Sequence, residues 1–439
     1  MRQLCGKLSF RSYPFQALHL SPTLSGSFGC TAIMKAEDNK EKQMSHQKKE
    51  ETIIPEKGTV LSAEKGTKRV ILDILKKALA ENLFDAVLIP AQVPETEAYS
   101  WILLQDESLF EWADPLPPVM TVQGGRALSS FSKNGELEQN IAALLRPCEI
   151  RAAIELFKLK QVNLKNITLI SLDCPGAMPL SNYMSDPQKT KKDFQHILEK
   201  WENSESLRPV CQVCQHFSFI DGTAADLHIG LLGDKNKNIT LIPSSPKGKK
   251  LLDQLEFGTK DSVEKWKTEK QQLANEKIKR IDAFNREWKK KINQANGFFN
   301  EFNPCINCHN CMNVCPMCYC QQCYFDSQAI NFKPEAYMQK AEQKGALRFP
   351  LNTMLFHIGR MSHMVLSCVS CGACEDACPV SIPVSQLFSM VSDQTQKEFK
   401  YTPGMNREDA LPLQDFTEQE FCEVEVPDEC HEKAPEEAK

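Results

Sequence analysis

No run of 18 to 20 apolar residues occurs anywhere in the 439-residue chain. The best short runs, Ala86 to Pro90 and Ile167 to Leu172, are strand-sized, so no transmembrane segment is expected. An excess of basic residues is missing too. The formal net charge is -5, which leaves no electrostatic case for nucleic acid or an anionic membrane surface as a partner. Gly-x-Gly-x-x-Gly is absent, and with it the usual dinucleotide-binding fingerprint. Residues 1–36 hold no Asp or Glu but several Ser, with Arg2, Lys7, Arg11 and Lys35, the composition of an organellar transit peptide. Met34 begins a charged stretch and serves equally well as a start, so a cytoplasmic protein is the expectation and residues 1–36 are set aside.

What the chain has in excess is cysteine: 19 residues, most of them in tight Cys-x-x-Cys arrays rather than the dispersed pattern of a disulfide-stapled secreted domain. That usage points to metal in a reducing compartment. Cys305, Cys308, Cys311 and Cys315, followed by Pro316, form Cys-x2-Cys-x2-Cys-x3-Cys-Pro, and Cys368, Cys371, Cys374 and Cys378, followed by Pro379, repeat it. Two-residue gaps let a loop wrap three thiolates round one face of a [4Fe-4S] cubane, while the fourth Cys reaches the other cluster. One cluster is therefore assigned to Cys305, Cys308, Cys311 and Cys378, the other to Cys368, Cys371, Cys374 and Cys315. Zinc is the competing reading, but it needs only two Cys-x-x-Cys pairs and does not call for this longer pattern twice. Cys318, Cys320 and Cys323 extend the first motif, as further metal ligands or as spare reduced thiols.

A 41% hydrophobic share suits a soluble protein with real cores. The polar residues 37–58, with the segment before them, read as an extension of residues 1–58. From Thr59, an amphipathic pattern (Ile71, Leu75, Ala78, Leu79) leads into the strand Ala86 to Pro90, and short apolar runs recur at Trp101 to Leu104 and Val119 to Val122. Helical spacing is expected over Glu138 to Gln161, followed by a strand at Ile167 to Leu172. This alternation predicts an α/β domain over 59–260. Residues 261–296 read as one helix, part of a linking region 261–299, with Ile278, Ile281, Phe284, Trp288 and Ile292 on one stripe. A two-cluster ferredoxin-like α-helical domain follows over 300–400. The acidic tail 401–439, with Cys422 and Cys430, is expected to be disordered.

Four thiols remain in the α/β domain, Cys148, Cys174, Cys211 and Cys214, one cluster's worth. Cys174 falls just past the strand ending at Leu172, and sites in open α/β sheets gather at the carboxyl ends of strands. The alternative is that Cys148 is a buried helical residue and only the pair Cys211 and Cys214 is special. Gly124, Gly125 and Arg126 offer a turn where backbone approaches a phosphate; a plain strand-ending turn is the competing reading. His357 and His363, flanking Arg360, are given no role.

The run Ala143 to Leu156 (ALLRPCEIRAAIEL), Asp-Cys-Pro-Gly at 173–176, and Arg208 to Gly230 (RPVCQVC, then ADLHIG) resemble the coenzyme F420 hydrogenase/dehydrogenase beta-subunit family. The two cysteine arrays look like its formate dehydrogenase beta-subunit branch, and the resemblance covers roughly 60–395. It implies an α/β domain holding FAD but carries over no FAD contacts, so the turn at Gly124, Gly125 and Arg126 read above supplies the only candidates, and it adds weight to the four thiols of that domain as cluster ligands. It also implies a separate catalytic subunit, a formate dehydrogenase or hydrogenase, with a deazaflavin (F420) or another two-electron carrier as acceptor. No molybdopterin signature is present, so formate chemistry belongs on the partner. Two other readings stand beside this one. The chain is a flavin subunit of a bifurcating complex with heterodisulfide-reductase-like subunits, using NAD(P)H or ferredoxin, or it is an electron-carrying adaptor without flavin. A zinc-binding interaction module is the remaining alternative.

Overall fold

The computed structural model describes residue 55 and residues 57–94, 96–218, 225–233, 238–257, 259–328, 330, 333–346 and 352–412. The expectations for the N-terminal extension before Pro55, and for Cys422 and Cys430, lie outside them. Eight strands form one mixed sheet: β1 (Lys57–Ser62), β2 (Ala86–Gln92), β3 (Tyr99–Leu104), β4 (Ile141–Leu145), β5 (Ile167–Leu172), β6 (Leu227–Gly230), β7 (Asn238–Pro243) and β8 (Thr259–Ser262). Their order is β3-β2-β4-β5-β6-β7-β1-β8. β2, β4, β5 and β6 run parallel. The flanking pairs β2/β3, β6/β7, β7/β1 and β1/β8 are antiparallel.

β4 and β5 are buried at every position, as parallel strands covered on both faces are. Their side chains alternate between two cores. Ala142, Leu144, Ile170 and Leu172 face one that includes α1 (Thr67–Ala80) through Ile71, Ile74, Leu75 and Ala78. Ile141, Ala143, Leu145, Ile167 and Leu169 face the other, which holds α3 (Pro147–Lys158) and continues into Phe302, Cys315, Val369, Leu387 and Phe388 of the cysteine-dense segment. The sheet and the thiols thus share a core.

Four expectations need correction. The single helix over Glu138 to Gln161 is the strand β4 followed by α3. Its apolar start pairs with β2 and β5, and Pro147, lacking an N–H, opens the helix at its first position. Val119 to Val122 is an irregular segment leading into α2 (Gly124–Ser132), not a strand. On the helix Glu264–Ile292 the inward residues include Trp266, Leu273, Lys277 and Trp288, while Ile278 is exposed; a lysine sits where an apolar residue was expected. Of the tail expected to be disordered, the start packs on α3 instead, and residues 413–439 lie outside the described residues. There Arg151 Nε donates to Pro403 O at 2.8 Å, and Gly404 N donates to Glu155 Oε1 at 2.7 Å. Gly404 has φ +73°, and a Cβ there would lie 2.2 Å from Arg151 O.

Candidate iron-sulfur centres

In the first motif Asn307 and His309 take left-handed backbone (φ 56° and 60°), curling the loop so that N–H groups turn toward sulfur. Asn307 N donates to Cys305 Sγ at 3.3 Å, and Ile382 N to Cys378 Sγ at 3.3 Å. Cys305, Cys308, Cys311 and Cys378 lie within electrostatic reach of one another. Two side chains of the helix Thr353–Met364 address the same group. His357 Nε2 lies 3.3 Å from Cys305 Sγ, and Arg360 Nη1 donates to Cys311 Sγ at 3.1 Å and its Nη2 to Cys311 O at 3.1 Å. The His357 ring stacks on Phe302, centroids 4.0 Å apart. Burial, then the charge of Arg360, lowers the pKa of His357 to about 3, so the ring is neutral with one donor and one acceptor nitrogen.

The second set, Cys315, Cys368, Cys371 and Cys374, lines one void with Met364, Val369 and Phe388, with about 380 Å³ of space between atoms, part of it open to solvent. Here the side-chain donors hold carbonyls, while the backbone N–H of Ala373 addresses the Cys371 sulfur. Arg126 Nη1 donates to Cys315 O at 2.9 Å, Arg208 Nη1 to Cys371 O at 3.0 Å and Gln396 Nε2 to Cys368 O at 2.9 Å.

The third set, Cys148, Cys174, Cys211 and Cys214, lines a void with Arg146, Gly176, His216 and Phe217, with about 420 Å³ of space between atoms, part of it open to solvent. Cys148 stands at the start of α3 and Cys174 just past β5, the carboxyl ends of two adjacent parallel strands. The β5 end is pinned by buried Asp173, which accepts from Leu231 N (2.6 Å), Trp266 Nε1 (2.8 Å) and Ser218 and meets His228 Nε2 at 3.0 Å. Burial pushes the Asp173 carboxyl up, but these hydrogen bonds outweigh it and hold it below the usual range. Lys277 Nζ donates to Cys211 O at 2.6 Å, which explains the buried lysine of the long helix.

Cys371 belongs to the walls of both the second and third voids. Arg360 lies within electrostatic reach of Cys311 of the first set and of Cys315 and Cys374 of the second. The twelve thiols therefore form three neighbouring sets in a row. Burial pushes Cys174, Cys311 and Cys371 up to about 11, so as bare thiols these three stay protonated at neutral pH. Bound iron would supply the positive charge that deprotonates them. Among the described residues no three His, Cys, Asp or Glu close on a single-ion site; the thiols of the second and third sets line voids instead. Four thiolates round a void suit a cubane.

Gly124, Gly125 and Arg126 do not form the phosphate turn expected of them. A Cβ on Gly124 would meet Leu145 and Trp101 at 2.7 Å, and one on Gly125 would meet Ala153 N of α3 at 2.9 Å, so both glycines serve close packing. Gly124 N is committed to Glu149 Oε1 (3.1 Å), Arg126 N to Gln123 Oε1 (3.1 Å) and the Arg126 side chain to Cys315 O. These residues do not fit a flavin phosphate.

Arg360, His357, Arg208 and Lys277 were missed as partners of the thiols. The signal available for the first two was a histidine and an arginine at helical spacing on a largely apolar helix, with Phe356 and Met364 on the same buried side.

Residues 301–382 match the family described as a 4Fe-4S dicluster domain. The F420-dependent formate dehydrogenase subunit beta of Methanocaldococcus jannaschii is 29% identical over 302 residues, 61% of this chain and 75% of the relative. Subunit beta of F420-dependent formate dehydrogenase 1 from Methanococcus maripaludis is 27% identical over 372 residues, 76% of this chain and 90% of the relative. This chain is a homologue of F420-dependent formate dehydrogenase beta subunits. The family resemblance carried by its motifs holds, and the C-terminal part of this beta-subunit homologue is a 4Fe-4S domain beside a mixed α/β sheet. A chain of the F420-reducing [NiFe] hydrogenase complex from Methanosarcina barkeri is also similar, at a TM-score of 0.40 and 14% identity, covering 54% of this chain and 93% of that one; a likeness so slight adds nothing further. No described helix is long and apolar enough to cross a membrane.

Proposed function

We propose that this chain is the electron-carrying beta subunit of a cytoplasmic two-part oxidoreductase, in which a separate catalytic subunit oxidises formate or hydrogen. The electrons leave for a two-electron acceptor of the deazaflavin F420 type, with FAD as the converting group. The observation that carries the proposal is the row of three thiol sets, joined by Cys371 and Arg360. Bound cubanes supply one-electron transfer at potentials tuned by their surroundings. The chain's own residues hold the thiols in register, give the first set two side-chain partners at sulfur and shield the second among Met364, Val369 and Phe388.

The reading without flavin, an electron-carrying adaptor, is favoured by one observation: the turn at Gly124 to Arg126 is spent on packing. The test is to co-produce this chain anaerobically with a formate-oxidising catalytic subunit, assay formate-dependent F420 reduction and measure released flavin. F420 reduction with one FAD per chain is the expected result. Full iron content with reduction of NAD(P) or ferredoxin but not F420 would move the chain to the bifurcating, heterodisulfide-type reading, and full iron without flavin would make it the adaptor.

A further inference from the structure

Beside the first two thiol sets lies a cavity of about 1170 Å³ of space between atoms, part of it open to solvent. Its wall brings together three thiols that the three sets leave unused. Cys318, Cys320 and Cys323 all line it, spaced Cys-x-Cys-x2-Cys in the segment that follows the first motif. The second motif has no such extension. Ser381 stands where the first has Cys318, and the chain passes at once into the helix Val384–Glu398. The ferredoxin pattern itself thus has no use for the added thiols. Cys318 lies within hydrogen-bonding reach of Cys315, which lines the second void, so whatever these thiols hold adjoins the row.

Three cationic side chains, Arg126, Lys133 and Arg360, stand in the same wall with one carboxylate, Asp326, leaving net positive charge to offset that of three thiolates. Arg360 is 2% exposed, and its Nε is buried without an acceptor among the described residues. A buried guanidinium with one unused donor, in the wall of a thiol-lined cavity, points to an anionic occupant. The space that the three thiols border is larger than either thiol-lined void described above. That argues for a cluster rather than a zinc ion. We propose that Cys318, Cys320 and Cys323 are the protein ligands of a fourth iron-sulfur cluster, held in this cavity beside Cys315. The proposal is independent of the acceptor assigned above and adds a cluster to the three sets without altering them.

The test compares the full chain, purified anaerobically, with a Cys318→Ser/Cys320→Ser/Cys323→Ser variant, measuring iron, sulfide, zinc and flavin per chain. The expected result is about sixteen iron atoms in the parent and about four fewer in the variant. Equal iron in both would overturn the proposal, as would loss of zinc instead of iron, or loss of flavin at constant iron. Since the triple change risks folding, Cys320→Ser, at an exposed position, is examined alongside by Mössbauer spectroscopy. One cluster signal should vanish or change while three stay. The same four-cluster spectrum in Cys320→Ser, or alkylation of all three thiols in the native iron-loaded protein, would contradict the assignment.

Discussion

Asn307 and His309 in the first motif, and Ser370 and Gly372 in the second, stand at the same two places between the cysteines, and all four have positive φ. From that common backbone the surroundings diverge. His309 stacks on Phe356 with centroids 4.2 Å apart, beside an exposed Cys308. Gly372 leaves room for Arg208; a Cβ there would lie 3.1 Å from its Cδ, and the guanidinium passes on to Cys371 O and Asp376. Side-chain hydrogen bonds reach sulfur in the first set and carbonyl oxygen in the second, where the sulfur of Cys371 is met by a backbone N–H, that of Ala373. Donors to sulfur and solvent exposure stabilise the more negative, reduced form of a cluster. The comparison therefore predicts that one repeated sequence pattern yields two clusters of different potential, the first set the more positive.

The largest effect is expected from breaking the second set's tie to the third. Arg208→Ala leaves Asp376 buried and removes the donor to Cys371 O, a loss of about 3–5 kcal/mol by the usual cost of orphaning one member of a buried pair. Denaturant unfolding of the anaerobic protein reads it, and a change below about 1 kcal/mol would mean that the pair is incidental. A smaller effect sharpens the contrast between the motifs. Removing the charged donor in Arg360→Ala should lower the first cluster's potential by on the order of 60 mV, the one-electron equivalent of about 1.4 kcal/mol. His357→Ala, which loses a neutral partner, should lower it by less. Because His357 stays neutral down to pH about 3, its contribution should be flat between pH 6 and 8. The sign in stability is the reverse of a salt-bridged histidine's. As pH falls below about 6.5, the unfolded chain takes up a proton that the folded ring refuses, so acid destabilises. Redox titration followed by electron paramagnetic resonance measures both shifts, and equal shifts at the two clusters would contradict the comparison.

The eight thiols of the two motifs and the strand Ile167–Leu172 were legible because their signals are local: fixed spacing in the motifs, and a buried apolar run in the strand. The strand Ile141–Leu145 was lost in a helical pattern because a fully buried strand has no alternation to betray it. Arg360 meets Cys311 across 49 residues, Lys277 meets Cys211 across 66 and Arg208 meets Cys371 across 163. No periodicity encodes contacts of that range. For the same reason Gly124 and Gly125 read as a phosphate turn when their neighbours are Leu145, Trp101 and Ala153, brought in by the sheet and α3.

The central claim, that the sheet-end thiols hold a cluster as the two motifs do, is tested most directly by iron and acid-labile sulfide per chain in Cys148→Ser/Cys174→Ser. Loss of about four iron and four sulfide relative to the parent protein, with the signals of the two ferredoxin-type clusters intact, is the predicted result. Unchanged iron and sulfide in a folded variant would contradict it and leave those thiols without metal.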